Sequence, residues 1–329
     1  MPGYKLSRPV TFSRPIGALD VKILSQDRFL TRWVAFVGLA LMLAFGPFTR
    51  ADDEPAGRTD RTKPSTGRRF DREKLKRLRG RREANSSQLK RVTWKVGDET
   101  REALVYVPDG KYASPNPPLV FAFHGHGGRA GFSTVQMPFH DLWPEAVCVY
   151  PQGLPTAVPV IDVEGKRPGW QKFIGDQNDR DLAFFDEMLS SMKAEHHIDE
   201  RRVFVAGHSN GGFFTYVLCA ARGDRLAAVA PIAALIDQRD FSKQKAIPVL
   251  HVAGKEDPIV RFAPQERTME RIRTLNGCEP AGKAAGEFCT EYSSKDGPPV
   301  VTFIHPGGHE IPDGAPKRIV AFFLEHTRK

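Results

Sequence analysis

The sequence lacks several features that would point to other classes of protein. Its four cysteines include no Cys-x-x-Cys pair, so the spacing typical of structural zinc sites is missing. No internal repeat is visible. The apolar stretch at 33–45 has thirteen residues, whereas about 20 are needed to cross a bilayer. A chain of 329 residues with 40% hydrophobic residues is therefore expected to hold one large globular domain with appended segments.

Excess positive charge is missing from most of the chain, although the net charge is +9. The first 51 residues hold seven Lys or Arg and two Asp or Glu, and residues 52–91 hold fourteen and seven. The remainder has 27 basic and 30 acidic side chains, a net charge of −3. A nucleic-acid enzyme needs its positive charge on the folded domain, where it can face phosphates. We therefore expect no nucleic-acid partner.

The first 51 residues have the layout of a secretory signal peptide. Basic residues up to Arg32 precede the apolar stretch, and Gly-Pro and then Thr-Arg-Ala follow it. We predict cleavage after Ala51 and a secreted or periplasmic protein. The alternatives are an uncleaved segment that anchors the protein to a membrane and a true start further downstream.

Residues 52–90 have few large apolar side chains and are rich in Arg, Lys, Asp, Pro, Gly and Ser. Such a segment cannot bury enough apolar surface to fold alone, so we predict a basic disordered tether. Its Arg/Lys run at 68–82 could contact an anionic surface, although charge runs are more often simply solvated.

From residue 91 to residue 329, short apolar runs alternate with helical periodicity. This pattern predicts an α/β domain with an eight-stranded, mainly parallel sheet and helices on both faces. Strands are expected at 91–96, 102–107, 118–124, 146–150, 203–207, 227–232, 248–254 and 300–305, the first two as a hairpin. Helices are expected at 181–195 and 210–222.

Ser209 lies in the run Gly-His-Ser-Asn-Gly at 207–211, between a predicted strand and a predicted helix. This is the context of the nucleophile elbow of the α/β-hydrolase fold. The glycines favour it because the turn forces unusual backbone angles on the serine and leaves no room for side chains beside it. We predict that Ser209 is a catalytic nucleophile.

A serine hydroxyl needs a base within reach, and the base needs an acceptor that fixes its tautomer. In this fold the acid and then the histidine follow the serine along the chain. Asp257, in the loop after the strand at 248–254, is the predicted acid, and the longer neighbour Glu256 is expected to be solvated. His309, in the glycine-rich loop after the last strand, is the predicted base.

Backbone amides are expected to form an oxyanion hole, which stabilises the developing negative charge. One donor is the amide of Asn210, and the second is that of His126 or Gly127, in the run His-Gly-His-Gly-Gly at 124–128. A zinc site at His124 and His126 is the less favoured alternative, because no third ligand lies beside them in sequence. We predict an enzyme without metal or cofactor.

Cys278 and Cys289 lie eleven residues apart in a Gly- and Ala-rich loop. Such a loop has few other means of holding its shape, and an exported protein folds where disulfides form. We therefore expect these two cysteines to be paired.

Together these motifs resemble exported esterases, namely the polyhydroxybutyrate depolymerases and the feruloyl and acetylxylan esterases of the first carbohydrate esterase family. The likeness runs from about residue 91 to the C-terminus. It rests on Leu-Val-Phe-Ala-Phe-His-Gly at 119–125, Tyr-Pro-Gln-Gly at 150–153, Gly-Trp at 169–170, Asp181, the run at 199–210 and Gly-Gly-His at 307–309.

The resemblance implies a triad of Ser209, Asp257 and His309 that hydrolyses carboxylic esters through an acyl-enzyme. The substrate it implies is an ester, free or part of a polyester or polysaccharide. Trp170 is expected to line the pocket or, equally, to be a buried loop anchor. Two other functions keep the same fold: a serine peptidase similar to the prolyl oligopeptidase catalytic domain, and an exported binding protein without turnover.

Overall fold

The computed structural model describes residues 88–328 of the chain. Its strands are β1 (Leu89–Val96), β2 (Glu99–Tyr106), β3 (Leu119–Phe123), β4 (Val147–Pro151), β5 (Leu154–Pro155), β6 (Pro168–Gly169), β7 (Val203–His208), β8 (Ala228–Ile232), β9 (Val249–Gly254), β10 (Lys283–Ala284), β11 (Cys289–Tyr292) and β12 (Val300–His305). Its helices are α1 (Ala130–Gln136), α2 (Phe139–Leu142), α3 (Arg180–His196), α4 (Asn210–Arg222), α5 (Phe262–Leu275) and α6 (Ala315–Leu324). The predicted signal peptide and residues 52–87 of the predicted tether lie outside this part.

Ten strands of residues 88–328 form one sheet in the order β1-β2-β4-β3-β7-β8-β9-β12-β11-β10. The six central strands, from β4 to β12, run parallel to one another. Antiparallel strands add to both edges: β1 and β2 on one side, β11 and β10 on the other. Because parallel strands end at the same edge of a sheet, the loops after β3, β7, β9 and β12 meet there. This is the α/β-hydrolase fold.

All eight predicted strands are present, within three residues of their predicted ends. The sheet has two more strands than predicted, because β10 and β11 form part of the segment predicted to be a loop. Both are short, and their residues are partly exposed apart from Cys289, so no alternating apolar pattern marks them. β1 begins at Leu89, two residues before the predicted start of the domain.

Helices cover both faces of the sheet. We call the side packed by α3, α4 and α5 the front face and the side packed by α1, α2 and α6 the back face. Successive residues of β3 alternate between these two cores: Phe121 faces the front core, and Val120 and Ala122 face the back core. Every residue of β3 is buried, which explains why buried central strands appear in the sequence as continuous apolar runs.

A buried ion pair joins β2 to the start of α3. Arg101 donates to Asp181 over 2.8 Å, and both side chains are almost fully buried. Its guanidinium also lies 4.2 Å from the ring centroid of Phe184. Burial lowers the pKa of Arg101, and the charge of Asp181 opposes this shift. The second carboxylate oxygen of Asp181 accepts from the amide of Gln171 over 2.8 Å, so the pair also fixes the loop before α3.

The predicted disulfide between Cys278 and Cys289 is wrong, since both are free thiols in the structure. Cys278 packs against the front core, whereas Cys289, at the start of β11, belongs to the back core. In the structure the two thiols therefore pack into different cores and are not joined. None of the helices within residues 88–328 has the length and apolar character of a membrane-spanning segment.

Candidate active site

Ser209 lies at the sharp turn between β7 and α4. Its backbone angles are φ 55° and ψ −122°, in a region that residues with a side chain rarely adopt. Its amide donates to the carbonyl oxygen of Ile232 at the end of β8, over 2.8 Å. This hydrogen bond to β8 fixes the turn, and the strained backbone conformation is that of Ser209 itself, the residue that carries the hydroxyl.

The two glycines of the run at 207–211 are required by close backbone contacts. A Cβ atom on Gly207 would lie 2.2 Å from the carbonyl oxygen of Gly211, and one on Gly211 would lie 2.4 Å from that of Phe123. Contacts this short do not occur in folded proteins, so a side chain at either position would force the backbone apart. The structure thus explains the spacing that marked the elbow in the sequence.

The side chains of Ser209, His309 and Asp257 form one continuous hydrogen-bonded chain. Nε2 of His309 lies 2.8 Å from Oγ of Ser209, and Nδ1 of His309 lies 2.8 Å from Oδ2 of Asp257. They come from the ends of β7, β12 and β9, which the parallel sheet brings to one edge. With Nδ1 donating to the carboxylate, Nε2 is free to accept the serine proton.

The Asp257 carboxylate is buried and held on both oxygens. Oδ1 accepts from the amides of Ile259 and Val260, each over 2.8 Å, and Oδ2 faces His309. The tight loop after β9 therefore presents the carboxylate in one orientation. Glu256 is exposed, as predicted, and lies outside this chain of contacts.

His208, inside the run at 207–211, also contacts the candidate base. Its Nε2 donates to the carbonyl oxygen of His309 over 2.9 Å, and the two rings lie 5.0 Å apart. The pKa of His208 is lowered to about 4, mainly because the ring is buried and secondly because of the charge of His309. This neutral ring supports the loop that carries His309. The sequence did not reveal it, because the second position of the elbow run accepts many residue types.

The structure separates the two candidates for the second oxyanion donor. The amide of Gly127 donates to the carbonyl oxygen of Pro168 over 2.7 Å, so it is already engaged. Within residues 88–328, the amide of His126 donates no hydrogen bond. The other predicted donor, the amide of Asn210, is at the first position of α4, where the helix itself supplies no acceptor. This geometry favours His126 over Gly127.

Trp170 is a buried anchor and has no exposed surface for a substrate to touch. Its ring nitrogen donates to the carbonyl oxygen of His124 over 2.9 Å. The Asn210 side chain bonds to both backbone groups of Trp170, accepting over 2.7 Å and donating over 2.9 Å. A Cβ atom on Gly169 would lie 2.8 Å from the Asn210 oxygen, so the Gly-Trp pair and the elbow fit together. Of the two predictions for Trp170, the burial matches the anchor and not the pocket wall.

The loop at 156–167 contacts His126 through an aspartate that no motif in the sequence singles out. Oδ2 of Asp162 lies 3.1 Å from Nε2 of His126 and accepts from the amide of Arg167 over 2.8 Å. Oδ1 of Asp162 accepts from the amide of Lys166 over 3.2 Å. One carboxylate thus closes its own loop and holds the imidazole of the candidate oxyanion residue.

His124 is a structural residue of the same region. Its Nδ1 lies 2.7 Å from the carbonyl oxygen of Gly125, and its Nε2 accepts from the amide of Gly153 over 3.0 Å. Burial lowers the pKa of His124 to about 4. The neutral ring joins the loop after β3 to the Tyr-Pro-Gln-Gly run. Within the described residues, no three His, Cys, Asp or Glu side chains are grouped as metal ligands.

A cleft of about 1150 Å³ lies next to His126 and Gly127. Apolar side chains line it, including Leu104, Val135 and Phe132, and 58% of the Phe132 surface is exposed. The ion pair of Arg91 and Glu102 and the side chains of Arg129 and Gln152 add polar groups to its walls. The cleft has room for a group much larger than an acetyl.

Similar proteins include esterases. Feruloyl esterase D of Neurospora crassa is 29% identical over 66% of this chain and 77% of its own length. A bifunctional acetylxylan esterase/xylanase of Neocallimastix patriciarum is 25% identical over 60% of this chain, which spans only 27% of that protein. The solved structure of an acetyl xylan esterase from Aspergillus awamori matches with a TM-score of 0.54 and 16% identity, covering 71% of this chain and 98% of that one.

Residues 169–276 match the prolyl oligopeptidase family. This segment contains Ser209 and Asp257 but ends before His309, so it covers the elbow and the acid loop. Both features belong to the fold as a whole. The chain therefore has the α/β-hydrolase fold and resembles the esterases of that fold.

Proposed function

We propose that the protein is a serine esterase that hydrolyses carboxylic esters through an acyl-enzyme on Ser209. The observation that carries this proposal is the chain of two 2.8 Å hydrogen bonds from Ser209 through His309 to Asp257, at a strained elbow. A nucleophile, a base within reach and a fixed acceptor are what acyl transfer requires. No metal or cofactor enters the proposed reaction.

In the proposed reaction, His309 takes the proton from Ser209 as the hydroxyl oxygen attacks the ester carbonyl. The amides of Asn210 and His126 donate to the oxyanion that forms, and Asp257 stabilises the imidazolium. The imidazolium then gives its proton to the departing alcohol, which leaves the acyl group on Ser209. Water activated by His309 releases the acid and restores the enzyme.

For the substrate, we propose two classes. The first is feruloyl or acetyl esters on a polysaccharide, and the second is hydroxyalkanoate polyesters. The feruloyl and acetylxylan esterases among the similar proteins support the first class. The cleft lined by His126 and Gly127 supports a substrate with a large group next to the candidate oxyanion hole.

A prolyl oligopeptidase-like peptidase is the second candidate, and the match at 169–276 favours it. Both candidates use the same triad order, so the leaving group distinguishes them. A peptidase would cleave a proline amide as well as the matching ester, whereas an esterase would act on the ester alone.

We also propose export of the protein, on the basis of the signal-peptide pattern in residues 1–51, with cleavage after Ala51. In this proposal the basic segment at 52–87 tethers the domain and can contact an anionic surface through its Arg/Lys run. Retention of residues 1–51 in the mature protein would contradict the cleavage.

The main test is labelling with a fluorophosphonate, followed by mapping of the modified peptide. We expect modification of Ser209 in the wild-type protein and none in Ser209→Ala. Turnover of p-nitrophenyl esters, feruloyl esters, acetylated xylan, hydroxybutyrate oligomers and a proline amide then identifies the substrate class. A folded wild-type protein that neither reacts with the label nor cleaves any ester would be an inactive binding protein instead.

A further inference from the structure

Three fully buried polar side chains continue the hydrogen-bonded chain behind Asp257. Nε2 of Gln265 lies 3.4 Å from Oδ2 of Asp257, and Oε1 of Gln265 lies 3.2 Å from Nε2 of His251. Nδ1 of His251 lies 2.6 Å from the hydroxyl of Tyr216. Gln265 and His251 have no exposed surface, and Tyr216 has 1%. The reaction proposed above uses none of the three.

The direction of each hydrogen bond follows from the contacts of Gln265. Its Nε2 donates to the carbonyl oxygen of Val260 over 2.6 Å, which fixes the amide so that Oε1 faces His251. Nε2 of His251 must then carry a hydrogen. Burial lowers the pKa of His251 to about 4, so the ring is neutral and its Nδ1 accepts from Tyr216. Every bond in the series therefore donates toward Asp257.

The three residues also connect the nucleophile to the acid through the front core. Tyr216 lies on α4, the helix that begins immediately after Ser209. His251 lies on β9, the strand that leads into the Asp257 loop, and Gln265 lies in the first half of α5, which follows that loop. A closed series of covalent and hydrogen-bonded contacts therefore runs from Ser209 through α4, Tyr216, His251, Gln265 and Asp257 to His309, and from His309 back to Ser209.

We propose that Gln265, His251 and Tyr216 form a positioning relay, which holds the Asp257 carboxylate in the orientation that the His309 imidazole needs. The inference rests on the proposed esterase function. Apolar side chains of similar volume would fill the same space at no desolvation cost. Three buried polar groups that are all satisfied and all oriented toward one carboxylate point to a role beyond packing.

The chain contains a matched control for the relay. Tyr150 is also fully buried, and its hydroxyl lies 2.7 Å from Nδ1 of the buried His140, but this pair belongs to the back core. Tyr216→Phe and Tyr150→Phe therefore each remove one buried hydroxyl bonded to a histidine. Only the first removal touches the relay. Gln265→Met keeps the length of the side chain and removes both of its polar ends.

The experiment compares kcat and KM of the four proteins on one activated ester, together with their thermal unfolding midpoints. We expect kcat to fall by about tenfold in Gln265→Met and about threefold in Tyr216→Phe, with KM within about twofold of wild type. Tyr150→Phe should keep the wild-type kcat while losing at least as much stability as Tyr216→Phe, because the Tyr150 hydroxyl makes more hydrogen bonds. Proton NMR should show a shift of the His309 Nδ1–H resonance in the two relay variants alone.

Two outcomes would overturn the inference. One is wild-type kcat and an unchanged His309 resonance in folded Gln265→Met. The other is an equal loss of kcat in Tyr216→Phe and Tyr150→Phe, which would indicate a general packing effect. Failure of the esterase proposal is a separate result, because wild-type protein would then show neither ester turnover nor fluorophosphonate labelling.

Discussion

Asp162 accepts from the imidazole of His126 over 3.1 Å and so joins the loop at 156–167 to the residue proposed as second oxyanion donor. The side-chain contact and the backbone donor belong to the same residue, so movement of the loop would displace the amide. The bond is partly buried, which protects it from competition with water.

Complete removal of one oxyanion-hole donor lowers kcat by about 10²–10³. Asp162→Ala would loosen the His126 amide but leave it in place, so we expect kcat to fall by about tenfold. The matched control is Glu164→Ala in the same loop, whose exposed side chain pairs with Lys166 and does not contact His126 within residues 88–328. Steady-state kinetics on one ester compares them. Equal kcat values for the two variants would show that the loop does not position His126.

Asp257→Asn and Glu256→Gln distinguish the predicted acid from its neighbour. The amide that replaces the Asp257 carboxylate would present a donor to His309 and favour the wrong tautomer, so we expect kcat to fall by about 10³–10⁴. Glu256 is exposed and outside the hydrogen-bonded chain, so Glu256→Gln should stay within about twofold of wild type. Similar losses in both variants would mean that the acid has been wrongly assigned.

Gly211→Ala is expected to lower the free energy of unfolding by about 3 kcal/mol or more, since the new methyl group would meet backbone atoms that cannot move independently. Gly131→Ala is the control. Its Cβ would meet only the Leu104 side chain at 3.8 Å, in a helix where alanine is preferred, so its stability should be within about 1 kcal/mol of wild type or higher. Urea unfolding measures both, and an unaffected Gly211→Ala would contradict the tight elbow.

The buried histidines predict a loss of stability in weak acid. The pKa of His124, His208 and His251 is lowered to about 4 by burial, whereas an unfolded imidazole titrates near 6.5. Between these values the unfolded chain binds more protons, so the free energy of unfolding falls as the pH drops from about 6.5 to 4. Below about 4 these groups add no further change.

Urea unfolding at pH 7, 6, 5 and 4 checks this dependence. Each histidine contributes a slope of up to about 1.4 kcal/mol per pH unit. We expect His124→Gln to have a shallower slope than wild type in this window by up to that amount, whatever its absolute stability. A slope that is the same in both proteins would show that His124 does not stay neutral when folded.

The sequence alone was sufficient to predict the fold and the three side chains that the structure brings together. All eight predicted strands are present. Six of them are the central parallel strands, which could be predicted because buried parallel strands require continuous apolar runs. Ser209 could be selected because the tight turn around it leaves no room for side chains at positions 207 and 211, which are therefore glycines. Asp257 and His309 could be selected because parallel strands end at one edge, so loop position along the chain translates into position in space.

Only the tertiary structure could decide which distant groups meet. Cys278 and Cys289 are close in sequence but pack into different cores, and the sequence does not reveal the short strands β10 and β11 in this segment. The engaged amide of Gly127, the burial of Trp170 and the contact of Asp162 with His126 each depend on where loops cross. A local backbone conformation restricts which residue types a few neighbouring positions accept, so it can be recognised in the sequence. Contacts between loops depend on the positions of segments that are distant in the chain, so no single stretch of sequence determines them.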